Sequence, residues 1–268
     1  MSNAWSFETR QIHAGQEPDS ATGARSLPIY QTTSFVFPSA ESAANRFALA
    51  ELAPIYTRIG NPTQDAVEQR VASLEGGLGA LLLSSGQAAE TFAILNIAEA
   101  GDHVVASPSL YGGTYNLLAH TLKKFGISVT FVEDPDNLQQ WRDAVQPNTK
   151  LFFGEVVSNP RQDVLDIEGV ADVAHRAGVP LIVDNTLSTP YLIRPIEWGA
   201  DIVVHSATLT ALATCRSTRR LSVSMPWAMR KALNGDTAEP RSRSSWTRAL
   251  RMKDRFAPSA PSAPRSRA

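Results

Sequence analysis

The chain predicts an open, largely parallel α/β sheet with helices on both faces, and three observations carry that expectation. From residue 80 onward, short apolar or β-branched runs alternate with helical patterns, as a βαβ succession requires. Most of these runs are nearly continuous in apolar or β-branched residues, so both faces of the sheet need cover. Polar words follow the runs directly, at what would be the carboxyl ends of the strands, where such sheets bind ligands.

Residues 1–60 hold few periodic segments and many turn formers, as in Pro18-Asp19-Ser20-Ala21-Thr22-Gly23. They read as an N-terminal arm that must pack on something else to be ordered. A helix then starts with Asn61 as N-cap, Pro62 at its first position and Gln64 placed to reach back as in a capping box. Val67, Val71 and Leu74 make its apolar stripe, and Gly76-Gly77 end it. Strands are expected at Ala80–Leu83, His103–Ala106, Ser128–Val132, Leu151–Glu155, Leu181–Val183 and Ile202–Val204. Helices are expected between them at Ala88–Ala98, Thr114–Phe125, Leu138–Ala144 and Ile167–Ala177. The division this suggests is an arm (1–60), a large sheet domain (61–208) and a tail (209–268).

Charge separates the tail from the rest. Residues 1–208 carry 12 Lys+Arg against 23 Asp+Glu, a net of −11, whereas residues 209–268 carry 13 against 3, a net of +10. The overall −1 therefore says nothing about partners. A hydrophobic content of 43% suffices for a sizeable core. The single cysteine, Cys215, excludes an internal disulfide framework and suits a reducing compartment. No apolar run reaches the ~18–20 residues of a membrane span, and no signal pattern opens the chain, so a cytoplasmic protein without a membrane partner is expected. The five histidines lack zinc-site spacing, and no metal is expected.

Each polar word has a chemical reading and a plainer one. Ser84-Ser85-Gly86-Gln87 joins a strand to a helix, so backbone N–H groups and the positive helix end can hold a phosphate; an ordinary capped turn has the same look. It is neither a Walker A loop nor a GxGxxG fingerprint. Asp184 ends a buried run and needs a partner, for which a pyridinium nitrogen is suitable; it also suits the cap of the Thr186-Leu187-Ser188 turn. Tyr111, beside Gly112-Gly113, can lie over a flat ring or simply pack. Asn159, held extended by Pro160, can reach a ring hydroxyl or merely turn the chain. Ser206 and Thr208 add hydroxyls on the same edge.

Together the words Tyr56-Thr57-Arg58, Asn61-Pro62-Thr63, Leu74-Glu75-Gly76-Gly77, Ser85-Gly86-Gln87-Ala88, Tyr111-Gly112-Gly113-Thr114, Ser158-Asn159-Pro160, Asp184-Asn185-Thr186 and His205-Ser206-Ala207-Thr208 resemble the Cys/Met-metabolism family of pyridoxal-phosphate enzymes. The openings Ile12-His13-Ala14-Gly15 and Pro28-Ile29-Tyr30-Gln31-Thr32-Thr33-Ser34-Phe35 look most like its O-acetylhomoserine sulfhydrylases. The resemblance implies the aspartate-aminotransferase-like fold (fold type I), pyridoxal 5′-phosphate as cofactor, an amino-acid substrate and a homo-oligomer built as a dimer of dimers. It implies that Gly86, Gln87, Ser206 and Thr208 hold the phosphate, that Tyr111 stacks on the ring and is the catalytic candidate, and that Asp184 keeps the ring nitrogen protonated. Thr186 would lie against the ring and Asn159 near its hydroxyl. Tyr56 and Arg58 would reach the phosphate of the neighbouring subunit. The reaction implied is γ-replacement on O-acetylhomoserine by sulfide or a thiol, with a γ-synthase or γ-lyase as the alternative.

The pattern breaks after Thr208. The family places its Schiff-base lysine there, and this chain has Leu209, which removes nucleophile and base together. No counterpart of the last sheet strand or the C-terminal domain follows. Residues 209–268, rich in Arg, Ser, Ala and Pro, read as a disordered tail arising from a reading-frame change or mis-called gene end. A competing reading gives that basic segment to nucleic acid, although no recognised module is present. A third makes the chain a lysine-less pseudoenzyme that still binds the cofactor.

Overall fold

The computed structural model describes residues 5–159 and 161–207. The readings placed on Thr208, Leu209 and the tail fall outside those residues. Five strands form one sheet in the order β2-β1-β3-β4-β5, every neighbouring pair parallel. The strands are β1 (His103–Ala106), β2 (Ser128–Phe131), β3 (Thr149–Glu155), β4 (Leu181–Asp184) and β5 (Ile202–Val204). Each begins where its apolar run begins, or within two residues of it.

The period of two along the strands sorts their side chains into two cores. Val105, Phe152, Leu181 and Val183 face one side and pack with Trp141 of α7 (Leu138–Asp143) and with Ile167, Val170 and Val173 of α8 (Ile167–Arg176). Val104, Ala106, Leu151, Phe153 and Ile182 face the other. There they meet Ile94 of α4 (Gly86–Leu95), and Leu117, Leu118 and Leu122 from a helix that runs as α5 (Gly112–Asn116), a π segment (Leu117–Thr121) and α6 (Leu122–Lys124). Both faces are covered, as the apolar runs of β1, β3 and β4 require, while the edge strand β2, with Ser128 and Thr130, is only partly buried.

One expected strand does not form. Ala80–Leu83 joins no ladder among the described residues; the Leu82 N–H donates to Glu68 Oε1 at 2.7 Å instead, and Leu81 and Leu82 are exposed. Apolar residues supply a strand's propensity, but its bonds must come from a neighbour. Among the described residues β5 is the last strand on that side, and no further strand lies beyond it.

The N-terminal segment holds two helices that its turn-rich sequence concealed, α1 (Phe7–His13) and α2 (Ala40–Phe47), capped by the hydroxyls of Ser6 and Ser39. Behind α1 the chain lies against α3 (Pro62–Glu75), where Arg70 donates from Nε to the Ala14 carbonyl at 2.8 Å. This contact covers the Ala66 side of α3, so the predicted stripe is only partly buried: Leu74 is inside, while Val67 stays exposed. Asn61 does cap α3, its Oδ1 accepting from Thr63 N–H at 2.9 Å. The capping box is not made, because among the described residues Gln64 returns no bond and Asn61 Nδ2 instead donates to the Tyr30 carbonyl and Thr57 Oγ1. Gly76 ends the helix in the left-handed conformation at φ 78°. Two short helices, α9 (Thr189–Leu192) and a 3-10 turn at Pro195–Trp198, link β4 to β5. No helix among the described residues is long and apolar enough to cross a membrane.

Candidate cofactor site

At the carboxyl edge of the sheet lies a cavity of about 440 Å³. It is lined by Gly86, Gln87, Tyr111, Asn159, Asp184, Thr186 and Ser206, together with Ser85, Glu90, Glu155, Val157 and Leu187. Seven of the residues singled out in the sequence therefore converge. Tyr56 and Arg58 do not line it; they lie in the N-terminal segment, the Arg58 guanidinium 4.8 Å from the Tyr56 ring centre. Thr208 lies outside the described residues.

One wall is the start of α4. The Ser85 hydroxyl accepts from Ala88 N–H at 3.1 Å, which leaves the first amides of the helix, at Gly86 and Gln87, facing the cavity's anion-attracting end. Gly86 is required by contact: a Cβ there would stand 2.9 Å from Ser206 Cβ and 3.1 Å from its Cα. Its absence lets the helix start close on the end of β5. Ser206 is itself held by its N–H, which donates to Thr186 Oγ1 at 2.7 Å. A second glycine serves the opposite wall, since a Cβ on Gly113 would lie 2.6 Å from the Tyr111 ring.

The floor is acidic. Asp184 and Glu155 are register partners at the ends of β4 and β3, so their side chains start one strand spacing apart, about 4.8 Å. Glu90 approaches from α4. Burial pushes Glu90 up to about 8, and the negative charges of Asp184 and Glu155 add to the effect. Burial likewise raises Glu155 to about 7, against the hydrogen bonds it accepts from the Tyr111 and Asn159 amides. Thr114 donates its hydroxyl to both oxygens of Glu90 at 2.9 Å, and Gln87 Nε2 donates to the same carboxylate at 2.8 Å. Asp184 Oδ1 accepts from Thr186 N–H at 2.7 Å, so the turn-cap reading of Asp184 holds for that oxygen. No lysine or arginine lines the cavity among the described residues.

Glu90 and Glu155 were not singled out in the sequence. Glu155 ends Leu151-Phe152-Phe153-Gly154 just as Asp184 ends Leu181-Ile182-Val183, so a buried carboxylate in need of a partner was equally legible there. Glu90 is a lone acid one turn into an apolar helix, which is a weaker sign. Asn185, inside a matching word, turns away from the cavity. Its Nδ2 donates to Glu75 Oε1 and the Ile193 carbonyl, both at 2.9 Å, tying β4 to the end of α3. His205 Nε2 meets the same Glu75 oxygen at 2.5 Å.

Amides and hydroxyls at one end suit a phosphate, the Tyr111 ring beside a glycine suits a flat group, and three carboxylates with no cation suit a protonated ring nitrogen. A parallel α/β sheet with such a cavity at its carboxyl edge defines the class of α/β enzymes that bind a phosphorylated cofactor. The sequence places the chain more narrowly. Residues 8–209 match the Cys/Met metabolism PLP-dependent enzyme family, and the chain belongs to that family. It is 62% identical over 204 residues to the O-acetyl-L-homoserine sulfhydrylase of Corynebacterium glutamicum, covering 76% of this chain and 47% of that one. It is 48% identical to the L-methionine gamma-lyase of Treponema denticola over 206 residues, covering 75% and 50%. Among solved structures it resembles a putative O-acetylhomoserine (thiol)-lyase from Campylobacter jejuni that carries a pyridoxyl-lysine-phosphate. The TM-score is 0.73 at 40% identity, covering 76% of this chain and 50% of that one. The chain thus spans about half the length of the relatives it matches.

Proposed function

We propose that residues 61–208 form the cofactor-binding part of a pyridoxal-phosphate enzyme of sulfur amino-acid metabolism, acting by γ-replacement on O-acetylhomoserine with sulfide or a thiol. The observation that carries this reading is the convergence of seven expected residues on one cavity whose charge calls for a cationic ring. Similarity to O-acetyl-L-homoserine sulfhydrylase supports the substrate class. Similarity to a methionine gamma-lyase supports a γ-lyase as the second reading.

In this reading the Gly86 and Gln87 amides and the Ser206 hydroxyl bind the phosphate, with Thr208 completing the set. Tyr111 covers the ring and excludes water from that face. Asp184 holds the proton on the ring nitrogen, and Glu90 and Glu155 add negative charge behind it. Thr186 fixes the Ser206 backbone and touches the ring, and Asn159 orients the ring hydroxyl. When bound, the cofactor supplies an electron sink for charge at the substrate's α-carbon. Tyr56 and Arg58 serve the site of a second subunit in a cytoplasmic homo-oligomer, and residues 1–60 act as the arm that carries them there. Leu209 stands where the reading requires a lysine, so this chain binds the cofactor without a covalent anchor and is impaired in turnover.

Titration with pyridoxal 5′-phosphate, followed by borohydride reduction and peptide mapping, tests this. The expected result is saturable binding, no Schiff-base absorption band and no pyridoxyl-lysine. A reduced adduct on one defined lysine overturns the impairment, and absence of binding overturns the pocket.

A further inference from the structure

We propose that Glu155 is a positioning residue whose carboxylate ties two loops across the cofactor slot, and that a cation arriving at Asp184 tightens this tie. The inference rests on the cofactor reading above and assigns a role to a residue that reading leaves as background charge.

The geometry is a two-handed clamp. Glu155 Oε1 accepts the Tyr111 N–H at 2.6 Å, and Oε2 accepts the Asn159 N–H at 3.0 Å. One oxygen therefore holds the loop after β1, which carries the ring-covering tyrosine. The other holds the loop after β3, which carries the amide expected at the ring hydroxyl. Each oxygen serves one amide, so both hands are full-strength acceptors only when the carboxylate is ionised. Glu155 is 5% exposed, and water offers little substitute.

The groups facing Glu155 decide when it is ionised. Glu90 faces it from α4 and Asp184 from β4, and at the start of α5 Tyr111 meets it through its backbone N–H. Asn159 adds no charge. Three carboxylates this close do not all ionise without a compensating cation. Before a cation arrives, protons are held within the cluster, first on Glu90 and, near neutral pH, in part on Glu155, where one turns an acceptor oxygen into a hydroxyl and weakens one hand. A positive nitrogen beside Asp184 expels that proton to solvent, and both oxygens then accept amides. The balance is one proton released for one cation bound, with no covalent change. Burial already brings Glu155 to about 7, so the exchange falls within the neutral range.

Residue-resolved hydrogen exchange on the full chain tests the clamp without using activity. The expected result is that protection of the Tyr111 and Asn159 amides rises together, by about tenfold, between pH 6 and 8.5, and rises again with pyridoxal 5′-phosphate. Glu155→Gln, which offers one oxygen and one NH2, should cost one of the two amides its protection and make the other independent of pH. Glu155→Ala should cost both, while the β1 and β3 amides stay protected. Should Glu155→Ala not fold, the near-isosteric Gln variant carries the same test. Unchanged protection in Glu155→Gln, or protection in the wild type that ignores pH, overturns the clamp. A wild-type chain with the pH signature that does not bind the cofactor overturns the coupling and the cofactor reading, yet keeps the loop tie. Binding with protection that ignores pH overturns the clamp and its coupling, and keeps the cofactor reading.

Discussion

The two ends of the sheet bury polar groups in opposite ways. At the amino end, His103 is fully buried, and its Nδ1 and Nε2 meet Thr149 Oγ1 at 2.8 Å and Thr130 Oγ1 at 2.9 Å. Burial lowers its pKa, so the ring stays neutral, and both nitrogens have neutral partners from the neighbouring strands. At the carboxyl end Glu90, Glu155 and Asp184 crowd together without a cation among the described residues. The amino end has met its electrostatic needs internally. The carboxyl end has been left in deficit, and a protein holds such a deficit where a ligand will settle it.

The sharpest way to break this contrast is to remove the charge that faces the ligand. Asp184→Ala should weaken binding of pyridoxal 5′-phosphate by on the order of 100-fold in a fluorescence titration, because the ring nitrogen loses its partner. The midpoint of urea unfolding should move little, because relief among three repelling carboxylates offsets the lost bond from the Thr186 N–H. The counterpart, His103→Ala, should do the opposite. It should cost on the order of 2–4 kcal/mol in urea unfolding, by a cavity and by removing a buried partner from the Thr130 and Thr149 hydroxyls, and leave cofactor affinity unchanged.

The pH dependence sharpens the contrast further, because the two ends have opposite signs. Glu155 and Glu90 have folded pKa values of about 7 and 8, above the ordinary 4.5, so the folded state binds more protons than the unfolded one between pH 4.5 and 8. Stability from these groups is complete below 4.5 and is lost as pH rises through 7 and 8. His103 is depressed from 6.5, so its contribution is present above that value and is lost as pH falls through its folded pKa. Thermal melts of the cofactor-free chain should decline from about pH 6 to 8.5. Glu90→Gln should flatten the upper part of that decline, by roughly 2 kcal/mol, after allowance for the residual solvent access.

The smallest effect is expected at Gly113. Its replacement by alanine pushes on the Tyr111 ring, which swings toward solvent, and should weaken cofactor binding by roughly tenfold with little change in stability. An unchanged affinity would mean that the ring does not cover the ligand.

What the sequence revealed follows from how local each signal is. Asp184 was legible because three apolar residues precede it and burial makes a lone carboxylate conspicuous. Glu155 carried the same signal, but as the expected last residue of its own strand it looked like an ordinary exit to solvent. Glu90 was hidden because a helix tolerates an acid on any face, and only the tertiary structure turns that face inward. Ala80–Leu83 failed for the converse reason: its composition is strand-like, but pairing depends on a neighbour far along the chain. The arm helices α1 and α2 were obscured by surrounding turn formers, although Ser6 and Ser39 with Glu8 and Glu41 two residues on are usable start signals.

The flank of the sheet beyond β5 has a consequence for the life of the chain in a cell. Its last described strand is followed by residues outside the described set, and beside it Leu78, Leu81 and Leu82 expose their side chains, while the Leu82 N–H is taken by Glu68 Oε1 at 2.7 Å. Exposed leucines of this kind are the apolar surface that holdase chaperones and proteases seek. The steady-state abundance of this protein should therefore respond to quality control more steeply than its buried cores would suggest.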